Sequence, residues 1–206
     1  MKERMPVRKV VIIGPESTGK STLCEELAAH FAASGRPSGW VPEFAREYLL
    51  AHGMNYSYAD LLTIAKGQLA LEDRCAAALA SSAPPPEAPH PGAPPSSAPL
   101  LFIDTDLYVL KVWCEFVFGK CHAWILEQIA ARHYDAYLLC RTDLPWVRDE
   151  LREYPDLITR EKLFLIYKDC MINQATPWAE VGGPANERTA NGVAAVSALM
   201  AGGSLQ

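Results

Sequence analysis

The chain has 206 residues, of which 50% are apolar, and its formal net charge is −5. This length suffices for one α/β domain around a single core, and the acidic balance disfavours broad nucleic-acid binding because no basic face stands out. No apolar run reaches the length of about 18 residues that a membrane span needs, so neither a nucleic-acid nor a membrane partner is expected.

A β-branched apolar run over residues 7–13 predicts the first strand. The charged residues before it lack the apolar core and cleavage site of a signal peptide, so we expect a cytoplasmic protein. The six scattered cysteines have no metal-ligand spacing and are interpreted as reduced thiols in strands and helices.

The first strand runs into the sequence GPESTGKST, residues 14–22, which matches the P-loop pattern. In such a loop, backbone N–H groups and the N-terminus of the following helix bind phosphate. Lys20 is therefore predicted to reach the β- and γ-phosphates of ATP, and Ser21 to bind Mg²⁺. The predicted nucleotide-binding residues are Gly14, Pro15, Glu16, Ser17, Thr18, Gly19, Lys20, Ser21 and Thr22.

Helical periodicity predicts helices over residues 20–33, 44–51 and 58–80, and residues 39–43 predict a short second strand. Residues 81–99 are rich in proline and poor in side chains that could form a core. They predict a disordered or polyproline-II insertion, which is interpreted as a tolerated surface excursion. Binding of an SH3-like partner is the alternative.

Glu43 ends the second strand, at the edge of a parallel sheet that also carries the P-loop. It is a candidate to accept the proton of an acceptor hydroxyl. The alternative is that Glu43, Arg46 and Glu47 form an ordinary solvated first helical turn. Trp40 and Tyr48, near the same crevice, are the candidates for stacking on a ring.

The second half of the chain continues the alternation of strands and helices. It predicts strands over residues 100–104, 136–140 and 177–181, and helices over residues 106–118, 123–133, 159–172 and 185–200. The complete order predicts an α/β fold with a doubly wound, mostly parallel five-stranded sheet in a single domain over residues 1–206.

The third strand ends in the sequence FIDTD, which places two carboxylates next to the predicted crevice. Asp104 is the stronger candidate to act on the metal side, because a P-loop needs an acidic residue at a second strand end. Asp106 is a candidate at the acceptor, and capping of the next helix is its alternative.

Arginines follow the fourth strand. Arg148 and Arg152 are four residues apart and are predicted to share a helix face, from which they could neutralise a transferring phosphoryl group. Arg160 could add a third cation. Surface ion pairs are the alternative for each of them.

Several segments together resemble the ribosylnicotinamide kinase domain of the NadR family, and especially its stand-alone versions of the AAA type. The segments are GPESTGKST, PEFAREYL (42–49), IAKGQLALE (64–72), FIDTD, a helix followed by YDAYLLC (126–140) and LPWVRDELR (144–152). The resemblance covers residues 9–199 except the proline-rich insertion. Neither the DNA-binding nor the adenylyltransferase module of the full regulator is present, so repression and dinucleotide synthesis are not expected.

The resemblance implies transfer of the γ-phosphate of ATP to the 5′-hydroxyl of nicotinamide riboside, with Mg²⁺, in a fold of the P-loop nucleoside kinase type. Matching positions imply that Lys20 and Ser21 hold phosphate and metal, and that Asp104 also serves the metal. The predicted catalytic residues are Lys20, Glu43, Asp104, Asp106, Arg148 and Arg152. A kinase for another nucleoside or small metabolite, or a regulatory ATPase, is the alternative; the oligomeric state is open.

Overall fold

Five strands and seven helices alternate along residues 6–82 and 98–201, the part of the chain that the computed structural model describes. In chain order they are β1 (Arg8–Ile13), α1 (Lys20–Ala33), β2 (Ser38–Val41), α2 (Phe44–His52), α3 (Tyr58–Ser82), β3 (Leu100–Asp104), α4 (Leu107–Phe118), α5 (Ala123–Ala131), β4 (Ala136–Cys140), α6 (Leu157–Ile172), β5 (Trp178–Val181) and α7 (Ala185–Met200). This is the predicted order of elements.

The strands form one sheet in the order β2-β3-β1-β4-β5, and every neighbouring pair is parallel. The predicted doubly wound α/β fold is therefore confirmed. Successive residues of the central strand β1 face opposite layers, because side chains alternate along a strand. Val10 and Ile12 pack in the core cluster that contains α1 and α7, whereas Val11 and Ile13 pack in the cluster that contains α4 and α6.

A proline and the N-cap residues of two helices move predicted boundaries by up to two residues. The second strand stops at Val41, because Pro42 has no N–H to donate to a sheet and Glu43 is the N-cap residue of α2. Helix α6 begins two residues before its predicted start, because the side chain of Asp156 accepts a hydrogen bond of 2.7 Å from the backbone N–H of Thr159.

The predicted proline-rich insertion at residues 81–99 lies largely outside the described residues, which omit 83–97. At its ends, Ser82 completes α3, and the Ala98 carbonyl accepts a 2.8 Å hydrogen bond from Nε of Arg36. Within the two described stretches, no helix has the combined length and apolar character that crossing a membrane requires.

Candidate active site

The P-loop connects the C-terminal end of β1 to the first turn of α1. Gly14 has a φ of 140°, and a Cβ at this position would lie 2.8 Å from the carbonyl oxygen of Cys140, so a larger residue does not fit. Gly19 is the N-cap residue of α1 and has a φ of 76°. The loop therefore directs the N-terminal end of α1, where helix N–H groups are unpaired, toward the edge of the sheet.

A cavity of about 240 Å³ lies next to this loop. All nine predicted nucleotide-binding residues, 14–22, line the cavity, and so do Glu43 and Arg152. The structure thus brings Lys20, Glu43 and Arg152 of the predicted catalytic set together. The other three predicted catalytic residues, Asp104, Asp106 and Arg148, lie outside the cavity wall.

Asp104 occupies the end of β3 directly beside β1, where its Cα pairs with that of Ile12. Its side chain is buried, and Oδ2 has no hydrogen-bond partner within the described part of the chain. Burial raises the pKa of Asp104, while the charge of Lys20 and a hydrogen bond from Ser21 act in the opposite direction. The carboxylate therefore lies next to the P-loop with an unused oxygen.

Glu43 is half-buried at the next strand end, and its carboxylate does not cap α2. Burial, followed by the charge of Asp104, raises its pKa to about 7, although Lys20, Arg46 and Arg152 oppose the shift. A carboxylate that titrates near neutral pH suits a general base. The half-buried position of Glu43 in the cavity wall differs from the alternative of a fully solvated first helical turn.

Gln68, which the sequence analysis did not select, joins the two carboxylate-bearing strand ends. Its buried side chain accepts a 2.7 Å hydrogen bond from the Phe44 N–H and donates to the carbonyls of Pro42 (3.4 Å) and Asp104 (3.3 Å). The preceding Gly67 lets α2 approach, because a Cβ there would lie 2.1 Å from the Phe44 ring. In the sequence, a glycine followed by a glutamine on the apolar face of a long helix was the signal that could have identified Gln68.

Asp106 is the N-cap residue of α4. Its Oδ1 accepts from the N–H groups of Tyr108 (2.9 Å) and Val109 (3.4 Å), and its Oδ2 accepts from the Tyr137 hydroxyl at 2.9 Å. Burial raises its pKa to about 7 against these hydrogen bonds. This is the geometry of the capping alternative, and Asp106 does not line the cavity.

The predicted arginine helix is wrong in form, because residues 141–156 are irregular and hydrogen-bond to the P-loop. We call these residues the roof segment. A spacing of four puts two side chains on one face only in a helix. Here Arg152 lines the cavity, whereas the side chain of Arg148 is exposed and makes no hydrogen bond or ion pair with the described residues. The third candidate, Arg160, is buried and donates to the carbonyls of Ser17 (3.1 Å) and Leu144 (3.3 Å).

Four aromatic side chains line the cavity, and we call them the aromatic wall. It is formed by Trp113 and Phe116 of α4, Tyr167 of α6 and Tyr154 of the roof segment. The expected stacking residues lie elsewhere: Trp40 packs against the core beside α1, and the Tyr48 ring stacks on His52. The i, i+3 spacing of Trp113 and Phe116 after FIDTD was the signal that could have identified this wall.

A family model described as an AAA domain, AAA_28, matches residues 9–188. The trifunctional NAD biosynthesis/regulator protein NadR of Salmonella typhimurium is 30% identical over 159 residues, which are 75% of this chain and 33% of that protein. The chain therefore spans about a third of the length of the curated relatives it matches.

Solved structures with the same fold include two of NadR and one of a thymidylate kinase. NadR in complex with NAD and AMP-PNP superposes with a TM-score of 0.64 and 18% identity, covering 98% of this chain and 51% of that chain. NadR in complex with NR superposes with a TM-score of 0.63 and 17% identity, covering 98% of this chain and 54% of that chain. Thymidylate kinase from Ehrlichia chaffeensis superposes with a TM-score of 0.62 and 8% identity, covering 92% of this chain and 98% of that chain. At these identities the superpositions establish the shared fold alone.

Proposed function

The chain belongs to the AAA_28 family of AAA domains, and from this premise we propose that it transfers the γ-phosphate of ATP to the 5′-hydroxyl of nicotinamide riboside. The family match, the similarity to NadR and the P-loop make it a P-loop phosphotransferase. The proposed product is nicotinamide mononucleotide, so the reaction would serve NAD biosynthesis.

One observation carries the proposal: a single cavity joins the P-loop, the carboxylate of Glu43 and an aromatic wall. The P-loop suits the phosphates of ATP, and the aromatic wall suits a flat ring. A volume of about 240 Å³ is close to the lower end of ligand-sized pockets. Glu43 lies where the donor and the acceptor would meet.

The residues beside the P-loop fit a magnesium ion. Mg²⁺ prefers hard oxygen ligands and is usually held by one or two carboxylates together with substrate phosphates and water. The Ser21 hydroxyl and Oδ2 of Asp104, which lacks a partner among the described residues, supply such oxygens. Both residues would hold the ion, and when bound it would neutralise charge on the phosphates.

In the proposed mechanism, the 5′-hydroxyl oxygen attacks the γ-phosphorus of ATP and the bond to the β–γ bridging oxygen breaks, releasing ADP. Glu43 accepts the hydroxyl proton, for which its pKa of about 7 is suited. Lys20 stabilises the negative charge that grows on the bridging oxygen, and Arg152 stabilises charge on the transferring group. Gln68 keeps the strand ends that carry Glu43 and Asp104 in register.

The aromatic wall and nearby carboxylates support nicotinamide riboside over a neutral nucleoside. The pyridinium ring of this riboside carries a positive charge, which aromatic faces and carboxylates attract. Trp113 and Phe116 supply the faces, and Glu43 and Glu153 supply negative charge at the cavity. The NR-bound structure of NadR, which shares this fold, supports the same choice.

The test is acceptor-dependent ADP release, measured in a coupled assay with ATP, Mg²⁺ and either nicotinamide riboside, adenosine or uridine. We expect nicotinamide riboside to raise the rate at least about tenfold over the basal rate, and mass spectrometry to detect one mononucleotide per ADP. Lys20→Ala is the negative control, because it removes the cation at the phosphates. Stimulation by a neutral nucleoside instead would reject the named substrate, and no stimulation by any riboside would favour a regulatory ATPase.

A further inference from the structure

The side chains of two P-loop residues hold the roof segment in place. The carboxylate of Glu16 accepts three hydrogen bonds: from the Trp146 indole (3.1 Å) and from the backbone N–H groups of Glu153 (2.9 Å) and Tyr154 (2.8 Å). The adjacent Ser17 hydroxyl accepts a 2.9 Å hydrogen bond from the roof segment as well. The P-loop therefore has backbone groups that suit phosphate and side chains that bind the roof.

A carboxylate at this position needs these donors for an electrostatic reason. Glu16 is part of a loop that suits a polyanion, and two like charges in a partly desolvated site repel each other. Three N–H donors offset the negative charge of Glu16, and donors bound to a charged acceptor form comparatively strong hydrogen bonds. The N–H donors of the roof segment thus offset the negative charge that Glu16 adds to the P-loop.

The roof segment contributes four residues to the cavity wall, namely Leu151, Arg152, Glu153 and Tyr154. Within the aromatic wall, the ring of Tyr154 lies edge to face against that of Phe116, with centroids 5.4 Å apart. The two backbone groups that Glu16 binds belong to Glu153 and Tyr154 themselves. Glu16 therefore binds this part of the cavity wall directly to the P-loop.

We propose that Glu16 is a positioning residue: by binding the backbone of the roof segment it fixes Tyr154 for the acceptor and Arg152 for the transferring phosphoryl group. The proposal rests on the proposed kinase function for its kinetic consequence, but its structural content does not depend on the identity of the acceptor. Glu16 acts through the roof segment, and the phosphates of ATP are left to the backbone of the loop.

The kinetic test compares Michaelis constants for ATP and riboside in Glu16→Ala. Loss of the three hydrogen bonds should raise KM for the riboside at least about tenfold. KM for ATP should stay the same or fall, because a negative charge beside the phosphates has been removed. Glu16→Gln keeps Oε1 as acceptor for the N–H groups of Trp146 and Tyr154 but loses the acceptor for Glu153. Its KM for the riboside should therefore lie between those of the wild type and Glu16→Ala.

The matched control is Glu150→Ala, which removes an exposed carboxylate of the same segment that forms no hydrogen bond or ion pair in the described parts of the chain. It should behave like the wild type. A parallel rise of both Michaelis constants in Glu16→Ala would indicate general damage to the P-loop and overturn the proposal, as would an unchanged riboside KM.

A second measurement needs no substrate. Hydrogen exchange of the free protein should accelerate at the amides of Glu153 and Tyr154 in Glu16→Ala by at least about tenfold, since each amide loses its acceptor. The amides of β1 report whether the variant is folded and should exchange as in the wild type. If the wild type phosphorylates no riboside, the proposed function fails, but the exchange measurement still tests the positioning role of Glu16. Unchanged exchange at both amides overturns that role.

Discussion

Neutralising Glu43 should make the protein more stable and less active at the same time. The pKa of Glu43 is about 7, against an ordinary value of 4.5, with burial as the main cause and the charge of Asp104 as the second. Because the folded chain holds this proton more tightly than the unfolded chain, the free energy of unfolding falls as pH rises from about 4.5 to about 7. Above this window, the ionised Glu43 carboxylate destabilises the fold.

The size of this effect follows from the shift in pKa. One pKa unit corresponds to about 1.4 kcal/mol, so the shift corresponds to about 3 kcal/mol, and solvent screening of a half-buried group reduces the figure to about 1–3 kcal/mol. Glu43→Gln removes the ionisation. The variant should therefore exceed the wild type in unfolding free energy by this amount at pH 8 and by much less at pH 5.

Urea unfolding at both pH values, in the presence of EDTA and without nucleotide, measures the stability difference. Acceptor-dependent ADP release measures the loss of the proposed base. This loss should lower riboside-dependent kcat/KM by about 100- to 10,000-fold and change KM for ATP little. Glu47→Gln is the matched control, because Glu47 is exposed on α2 and its side chain forms no hydrogen bond or ion pair with the described residues. It should leave both measurements near the wild type.

Two results would refute the reasoning. A stability difference that is the same at pH 5 and pH 8 would mean that Glu43 does not titrate near neutrality in the folded chain. A Glu43→Gln variant with wild-type riboside turnover would mean that another group accepts the proton.

Four other outcomes are expected. Lys20→Ala should lower kcat at least about 100-fold with an unchanged circular dichroism spectrum, because one preorganised cation at the phosphates is lost. Arg152→Ala should lower kcat more than Arg148→Ala does, because Arg152 lines the cavity and Arg148 is exposed; equal losses in the coupled assay would contradict this placement. Gln68→Leu should lower the unfolding free energy by about 1–3 kcal/mol in urea titrations, since it leaves the first backbone N–H of α2 unpaired. Replacing residues 83–97 of the proline-rich insertion with a short Gly/Ser linker should change thermal unfolding and turnover little, and a large fall in either would mean that the segment binds the rest of the protein.

The sequence by itself determined the order of the elements, the position of the P-loop and the carboxylates at two neighbouring strand ends. These features depend on local signals. Apolar periodicity distinguishes strands from helices, and glycines mark the turn after β1. The parallel topology then places Glu43 and Asp104 at the same edge as the P-loop, because the carboxyl ends of parallel strands meet there.

Tertiary structure decided which of these residues line the cavity. Arg148 and Arg152 have the spacing of a helix face, but the roof segment is irregular, so its shape depends on hydrogen bonds to Glu16 and Ser17 more than 120 residues earlier in the chain. The aromatic wall likewise joins α4, α6 and the roof segment. Contacts between segments so far apart in sequence leave no local periodicity, and only the packing of the helices on the sheet brings these side chains together.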